Sequence, residues 1–240
     1  MSVLGAHSIA TARTIEQKIS DAGPFNQRVD PHVLTEVRNG LVAEGKLVRI
    51  HHANVPWFHL PDTDPALIAE RLNVQLPVYQ AINAGALSVR VGQALEIAVY
   101  KAFIKTGTAE FYGRFKDLDD HDDSTNYSKE EPPQHIGARS LPGNQNLDFL
   151  YRDPVAGFMG VECKNVREWL YPDRPELIDA LRKCLALDCM PVLIGRRIPY
   201  VTYLLLTQCG AVCHQLYNQL LPAVEADLAA RARDKTILGY

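Results

Sequence analysis

Residues 146–166 constrain this chain more than any other stretch; they read Asn-Leu-Asp-Phe-Leu-Tyr-Arg-Asp-Pro-Val-Ala-Gly-Phe-Met-Gly-Val-Glu-Cys-Lys-Asn-Val. Two runs rich in Val, Phe, Tyr and Leu flank Asp153-Pro154-Val155-Ala156-Gly157, whose turn chemistry at both ends argues for a β-hairpin. Alternation puts Leu147, Phe149 and Tyr151 on one face of the first strand, and Asp148, Leu150 and Arg152 on the other. On the second strand Met159, Val161 and Cys163 form the apolar set, while Gly160, Glu162 and Lys164 point the opposite way. A turn symmetric about Val155 sets Asp148 across from Glu162, with Cβ atoms roughly 5 Å apart. Two carboxylates so placed repel, and the pattern calls for positive charge between them. A divalent cation supplies it, with Lys164 alongside. On this reading, removing either carboxylate leaves the fold intact or more stable, because the repulsion is relieved.

Hard cations such as Mg²⁺ take carboxylate oxygens and keep several waters. Asp148, followed by Glu162-Cys163-Lys164 on the adjoining strand, resembles the signature of the PD-(D/E)XK, or restriction-endonuclease-like, nuclease superfamily. Leu147 stands where the nominal Pro precedes the Asp. The resemblance implies an α/β fold with an αβββαβ core and a mixed central sheet. It also implies hydrolysis of DNA phosphodiester bonds with Mg²⁺ or Mn²⁺. In that scheme Asp148, Glu162 and the Cys163 carbonyl hold metal, and Lys164 orients the water or stabilises charge. A helix at 88–106 carries Gln93, Glu96 and Tyr100 at helical spacing. Many members of the superfamily add a glutamate from this helix to the metal site, which makes Glu96 the third carboxylate. The plain alternative is a half-exposed hairpin whose solvent face carries Asp, Glu and Lys.

The elements around the hairpin are expected in family order. Residues 110–115 read as a first strand, 175–187 as an amphipathic helix with Leu177, Leu181, Cys184 and Leu185 inward, and 190–194 as a strand. Residues 200–206 read as a further strand, followed by a helix at 208–220. Between the first strand and the hairpin, 117–143 carries an acidic run and Pro132-Pro133; so long a stretch without periodicity is a functional flap or disordered chain.

Residues 1–62 read as a separate small domain, 63–87 as a connector and 88–240 as the nuclease-like domain. In the first, 8–19 has helical spacing, and Asp30-Pro31 starts a helix that stops at Gly45. Its inward stripe is Leu34, Val37, Leu41 and Val42, leaving Thr35, Arg38 and Asn39 outward. Strands at 47–51 and 57–60 follow around a five-residue turn. This order resembles a winged helix-turn-helix, in which the last helix enters the DNA major groove and the hairpin wing touches backbone or minor groove. The resemblance makes Thr35, Arg38, Asn39, His51 and His52 the DNA-binding set. Arg196 and Arg197, on an expected surface loop, add phosphate contacts. In the connector, Asp64-Pro65 caps a short helix and Pro77 breaks the chain again.

With 240 residues and a net charge of −3, the chain has no global attraction to nucleic acid, so any phosphate binding must come from local patches. Five cysteines, an odd number, fit a reduced cytoplasmic setting, and no apolar run or leader points to a membrane. One site cuts one strand, so a homodimer is expected for double-strand cleavage, with apolar positions Val224, Leu228 and Ile237 offered for assembly. Restriction, defence and repair are all open settings. The rival reading is a non-catalytic winged-helix DNA-binding regulator whose nuclease-like domain serves as an interface.

Overall fold

The structure, a computed structural model, describes residues 2–20, 31–107, 110–119, 121–216 and 218–239. They divide into two units, Met1–Ala84 with Glu225–Tyr240, and Gly85–Val224.

In the first unit the order is α1 (Ser2–His7), β1 (Ile9–Thr11), α2 (Ala12–Ser20), α3 (Pro31–Ala43), β2 (Val48–His52), β3 (Val55–His59) and α4 (Pro65–Ile82). β3 is the middle strand and runs antiparallel to both neighbours. The single helix expected over 8–19 is broken. Ser8 takes φ 63, and Ile9, Ala10 and Thr11 are all buried as a strand against β3. Helix resumes where Thr11 caps it, its hydroxyl accepting the Thr14 amide at 3.2 Å. α3 ends as expected: Gly45 is left-handed at φ 68, and the Lys46 amide reaches back to the Leu41 carbonyl at 2.9 Å. The expected Asp30 cap lies outside the described residues. Of the expected inward stripe Leu34 is buried but Val37 is exposed. The turn between β2 and β3 is tighter than expected, with Ala53 and Asn54 at φ 50 and 61, the two-residue form that matches strand twist.

α4 differs most from expectation. Asp64 caps it, accepting the Ala66 amide at 2.9 Å, but the helix runs straight through Pro77. Its buried face of Leu72, Gln75, Val78 and Ile82, with the Gln75 amide donating to the Ile9 carbonyl at 3.0 Å, offsets the bond that proline cannot make. Of the expected connector, 63–84 belongs to this unit and 85–87 opens the next. The terminal helix Ala226–Arg233 also packs on α4, burying Ala229 and Ala232, and Leu238 is fully buried beyond it. Of the residues expected to offer an assembly surface, Val224 is exposed and Leu228 and Ile237 are half-buried.

The second unit begins with α5 (Gly85–Thr106) and β4 (Glu110–Tyr112). β5 (Arg114–Phe115) pairs with β6 (Lys129–Glu130), and β7 (His135–Ile136) with β8 (Arg139–Ser140). Then come β9 (Phe149–Asp153), β10 (Gly157–Lys164), α6 (Pro175–Leu187), β11 (Met190–Arg196), α7 (Tyr200–Gln208) and β12 (Val212–Leu216). The five-stranded sheet has the order β12-β11-β10-β9-β4. It is mixed: β4, β9 and β10 are antiparallel neighbours, whereas β10, β11 and β12 run parallel. α5 covers one face through Leu95, Val99 and Tyr100 against Phe149, Val161 and Cys163. Cys184 and Leu187 of α6 pack with Leu147, Leu150 and Cys189 in a second cluster. Leu147 therefore packs with Leu150 and not with Phe149 as alternation suggested, because regular strand begins only at Phe149.

Two further expectations are corrected. The strand expected over 110–115 is split at Gly113, whose φ is 94 and whose hypothetical Cβ would lie 3.0 Å from Phe149 and 3.1 Å from the Asp148 carbonyl; only glycine fits there. The order after β11 is also inverted: residues 200–206 are helical, and 212–216 form the strand. Only Thr202 and Leu206, one helical turn apart, are buried, while Tyr200, Val201, Tyr203, Leu204 and Leu205 face outward. The stop signal is Gly210 at φ 81, with the Ala211 amide on the Leu206 carbonyl at 2.9 Å.

Gly160, in mid-β10, lies where the strand passes under α6. A Cβ there would sit 2.7 Å from the Cys184 sulfur, 2.9 Å from the Cys189 sulfur and 3.0 Å from Leu147. Gly160→Ala is expected to destabilise by ~1–3 kcal/mol through overpacking. Adding Cys184→Ala should return about half of that loss in denaturant melts. Equal loss in the single and double variants would show that the thiols are not the obstruction.

Candidate functional site

The hairpin register follows from its turn. The Asp153 carboxylate accepts the Val155 and Ala156 amides, each at 2.8 Å, and Gly157 takes φ 79. Asp153 pairs with Gly157, and the ladder runs on to Phe149 opposite Val161. One step further, Asp148 faces Glu162. The Asp148 amide still donates to the Val161 carbonyl at 3.1 Å, and its Oδ2 accepts the Cys163 amide at 2.6 Å. The aspartate side chain thus takes an amide of β10 beyond the last paired residue of β9.

Burial makes this pair expensive. Glu162 is only 3 % exposed, and each of its oxygens is held by an ammonium. Lys164, two residues along the same strand, meets Oε2 at 2.8 Å, and Lys183 of α6 bonds Oε1. Lys183 also donates to the Asn146 carbonyl at 2.7 Å. Burial, then the charges of Glu162 and Glu96, push the Asp148 carboxyl up to about 7 against the pull of Lys164. For Lys164, burial favours the neutral amine, but Glu162 and Asp148 outweigh it and hold the group above the usual lysine range. Burial, with Asp148 and Glu96 nearby, pushes the Cys163 thiol well up, so that side chain is a neutral neighbour and only its backbone carbonyl suits a hard cation.

Glu96 comes from α5, as expected, and is close enough to act on Asp148. Its carboxylate is bound by Lys129 at 2.6 Å, and that ammonium also lies over the Phe149 ring at 4.5 Å. Among the described residues no group of three or more His, Cys, Asp or Glu side chains is placed to hold a metal ion. Asp148, Glu162 and the Cys163 carbonyl are the groups here that could hold a hard cation, with water to complete its shell. That set fits Mg²⁺ or Mn²⁺, since Mg²⁺ is usually held by one or two carboxylates and retains several waters.

Asn165 closes the end of β10. Its side-chain amide donates to the Val91 carbonyl at 2.5 Å and the Leu220 carbonyl at 2.8 Å, and its Oδ1 accepts the Leu220 amide at 3.1 Å. It ties the strand that carries Glu162 and Lys164 to α5 and to the chain after β12. Lys129, Lys183 and Asn165 escaped the sequence reading. Lys183 had a legible signal: the buried stripe of α6 is Leu177, Ala180, Cys184 and Leu187, and a lysine at 183 lies on its flank. The expected stripe included Leu185, which is exposed. Lys129 had none, because the 117–143 segment delivers it through tertiary contacts, including the Gln93 side chain bonded to Tyr127 both ways at 2.8 and 2.9 Å.

The expected DNA-facing residues separate into two groups. Thr35 and Asn39 on α3, and His51 and His52 at the end of β2, are exposed. Arg38 is not presented: its guanidinium pairs with Glu16 at 2.6 Å and lies 5.3 Å from the Phe58 ring centre, leaving its side chain 12 % exposed. Arg196 and Arg197 are buried instead of lying on a surface loop, with Arg197 against the Trp169 ring and its carbonyl accepting the Leu170 amide at 3.1 Å. No described helix is long and apolar enough to cross a membrane. Among protein-family models, curated proteins and solved structures, none matches this chain.

Proposed function

We propose that this chain is a metal-dependent DNA endonuclease of the PD-(D/E)XK kind. The observation that carries the reading is the buried opposition of Asp148 and Glu162 at one end of the hairpin, with Lys164 bonded to Glu162 at 2.8 Å. The order α5-β4-β9-β10-α6-β11 around a mixed sheet supports it, being the αβββαβ sequence of that superfamily. The winged-helix resemblance of the first unit is supported by its strand order, β1-β3-β2, with α2 and α3 between β1 and β2.

In this reading Asp148, Glu162 and the Cys163 carbonyl would hold Mg²⁺ or Mn²⁺. The ion supplies charge neutralisation at the phosphoryl group and a water of lowered pKa. Asp148 keeps one oxygen on the Cys163 amide, which fixes the carboxylate plane. Lys164, bonded to Glu162 at 2.8 Å, would donate either to the attacking water or to a non-bridging phosphate oxygen. Lys129, kept beside Phe149 by Glu96, adds positive charge on the α5 side. Thr35, Asn39, His51 and His52 are the exposed donors of the first unit that would meet the duplex.

Supercoiled plasmid incubated with the full chain and Mg²⁺, beside an EDTA control, tests the reading. Nicked or linear product only with metal is expected. Plasmid that stays supercoiled with Mg²⁺ and with Mn²⁺, while fluorescence anisotropy shows duplex binding, would leave the non-catalytic DNA-binding regulator.

A further inference from the structure

Glu162 carries more positive charge than one carboxylate needs. Lys164 and Lys183 reach it from different elements, and each occupies one of its oxygens. All three side chains are largely out of water, at 3, 21 and 15 % exposure for Glu162, Lys164 and Lys183. With Asp148 ionised, the two anions and two cations cancel, so the protein without a bound ion then has a balanced interior. A divalent ion taken up by Asp148 and Glu162 would upset that balance, because two ammoniums would then lie beside a double positive charge. One of them must give way.

The two lysines are not equally free to move. Lys164 is in β10, its backbone paired with Gly195 of the parallel neighbour, and its place two residues from Glu162 keeps it on the same face. Lys183 is on the last turns of α6, reaches Glu162 through a long unbranched side chain, and already has another acceptor in the Asn146 carbonyl at 2.7 Å. Losing Glu162 would not leave its ammonium without a partner.

We propose that Lys183 is a built-in counter-ion: it holds Glu162 Oε1 in the ion-free protein and yields that oxygen to an incoming divalent cation, remaining on the Asn146 carbonyl. This rests on the reading of Asp148 and Glu162 as a cation-binding pair. Lys183 is a positioning residue in this account, keeping a buried carboxylate in place until the ion arrives and setting how tightly the ion is held.

Calorimetric titration of the full chain with Ca²⁺, without DNA, tests this on the wild type, K183Q, K183M and K183R. Removing the competing ammonium should lower the Ca²⁺ dissociation constant about tenfold in K183Q and K183M. K183R, which keeps the charge, should stay within about threefold of the wild type. In thermal melts K183Q should be less stable than the wild type in EDTA and recover most of the difference in saturating Ca²⁺. An unchanged or higher dissociation constant in K183Q and K183M overturns the counter-ion role, because the lysine would then stay on Glu162 or assist the ion. Should K183M not fold, K183Q decides, since its amide still reaches the Asn146 carbonyl. D148N separates the two levels of failure: a wild type that binds no Ca²⁺, or binds it equally well as D148N, overturns the cation-binding pair itself and this inference with it.

Discussion

Asp148→Asn is expected to lower Mg²⁺-dependent plasmid cleavage by about 10³-fold or more while stabilising the metal-free protein above pH 7. The rate loss follows from removing one of two carboxylates that would hold the ion and thereby the activated water. The stability gain follows from the same burial. In the folded chain the Asp148 carboxyl is pushed up to about 7 by burial, with Glu162 and Glu96 adding to it. In the unfolded chain an aspartate titrates near about 4. Between those values the folded state keeps a proton that the unfolded state releases. Stability in EDTA therefore falls as pH rises from about 4 to about 7 and is flat above, as far as this group governs it. The asparagine cannot ionise, so D148N loses this slope and should melt several degrees higher than the wild type at pH 8, with the difference shrinking as pH falls towards about 4. Lower stability of D148N at both pH values would assign Asp148 a structural role through its bond to the Cys163 amide.

Glu162→Ala has the largest expected effect on stability, and of the opposite sign to what two opposed carboxylates suggest from sequence. The alanine would relieve repulsion on Asp148, but it would also take the counter-charge from Lys164 and Lys183, both mostly buried, leaving Lys183 only the neutral Asn146 carbonyl. Breaking a buried ion pair by removing one partner costs ~3–5 kcal/mol, because the remaining charge has lost its compensation. The relief at Asp148 is smaller, since Glu96 and burial continue to act on it. Denaturant melts in EDTA should show E162A destabilised by several kcal/mol, with E162Q intermediate because its amide oxygen still accepts one lysine. A change of under about 0.5 kcal/mol in E162A would mean that the two lysines have ready access to water and that the paired arrangement contributes little.

The contrast between these two variants shows where sequence reasoning carries and where it stops. The opposition of positions 148 and 162 is local. Asp153 caps its own turn, Gly157 supplies the left-handed residue, and the three residues between the strands leave one register, which alternation then extends to the acidic pair. The ends of α3 and α5 are local in the same way, through the left-handed glycine at 45 and a long helical run to Thr106. Helix and strand are not separable locally over 200–206, where seven residues, apolar but for Thr202, suit either; burial of only Thr202 and Leu206 decides for helix.

What the hairpin's charges do is decided by partners distant in sequence. Lys183 meets Glu162 because α6 packs across β10, and Lys129 meets Glu96 because the 117–143 segment folds back on α5. A lysine looks much the same in a sequence whether it is solvated or seated on a carboxylate, since the Coulomb term depends on spatial separation and surrounding dielectric. Arg38 pairs with Glu16 from another helix, and Arg197 lies over Trp169 from another loop, so neither burial could be read from its own segment. The hairpin, its register and the acidic pair follow from local residues, because turn chemistry and a two-residue period act over a few bonds. Which charges are neutralised, which arginines are buried and where the terminal helix packs follow from the folded chain alone, because those depend on which distant segments exclude water together.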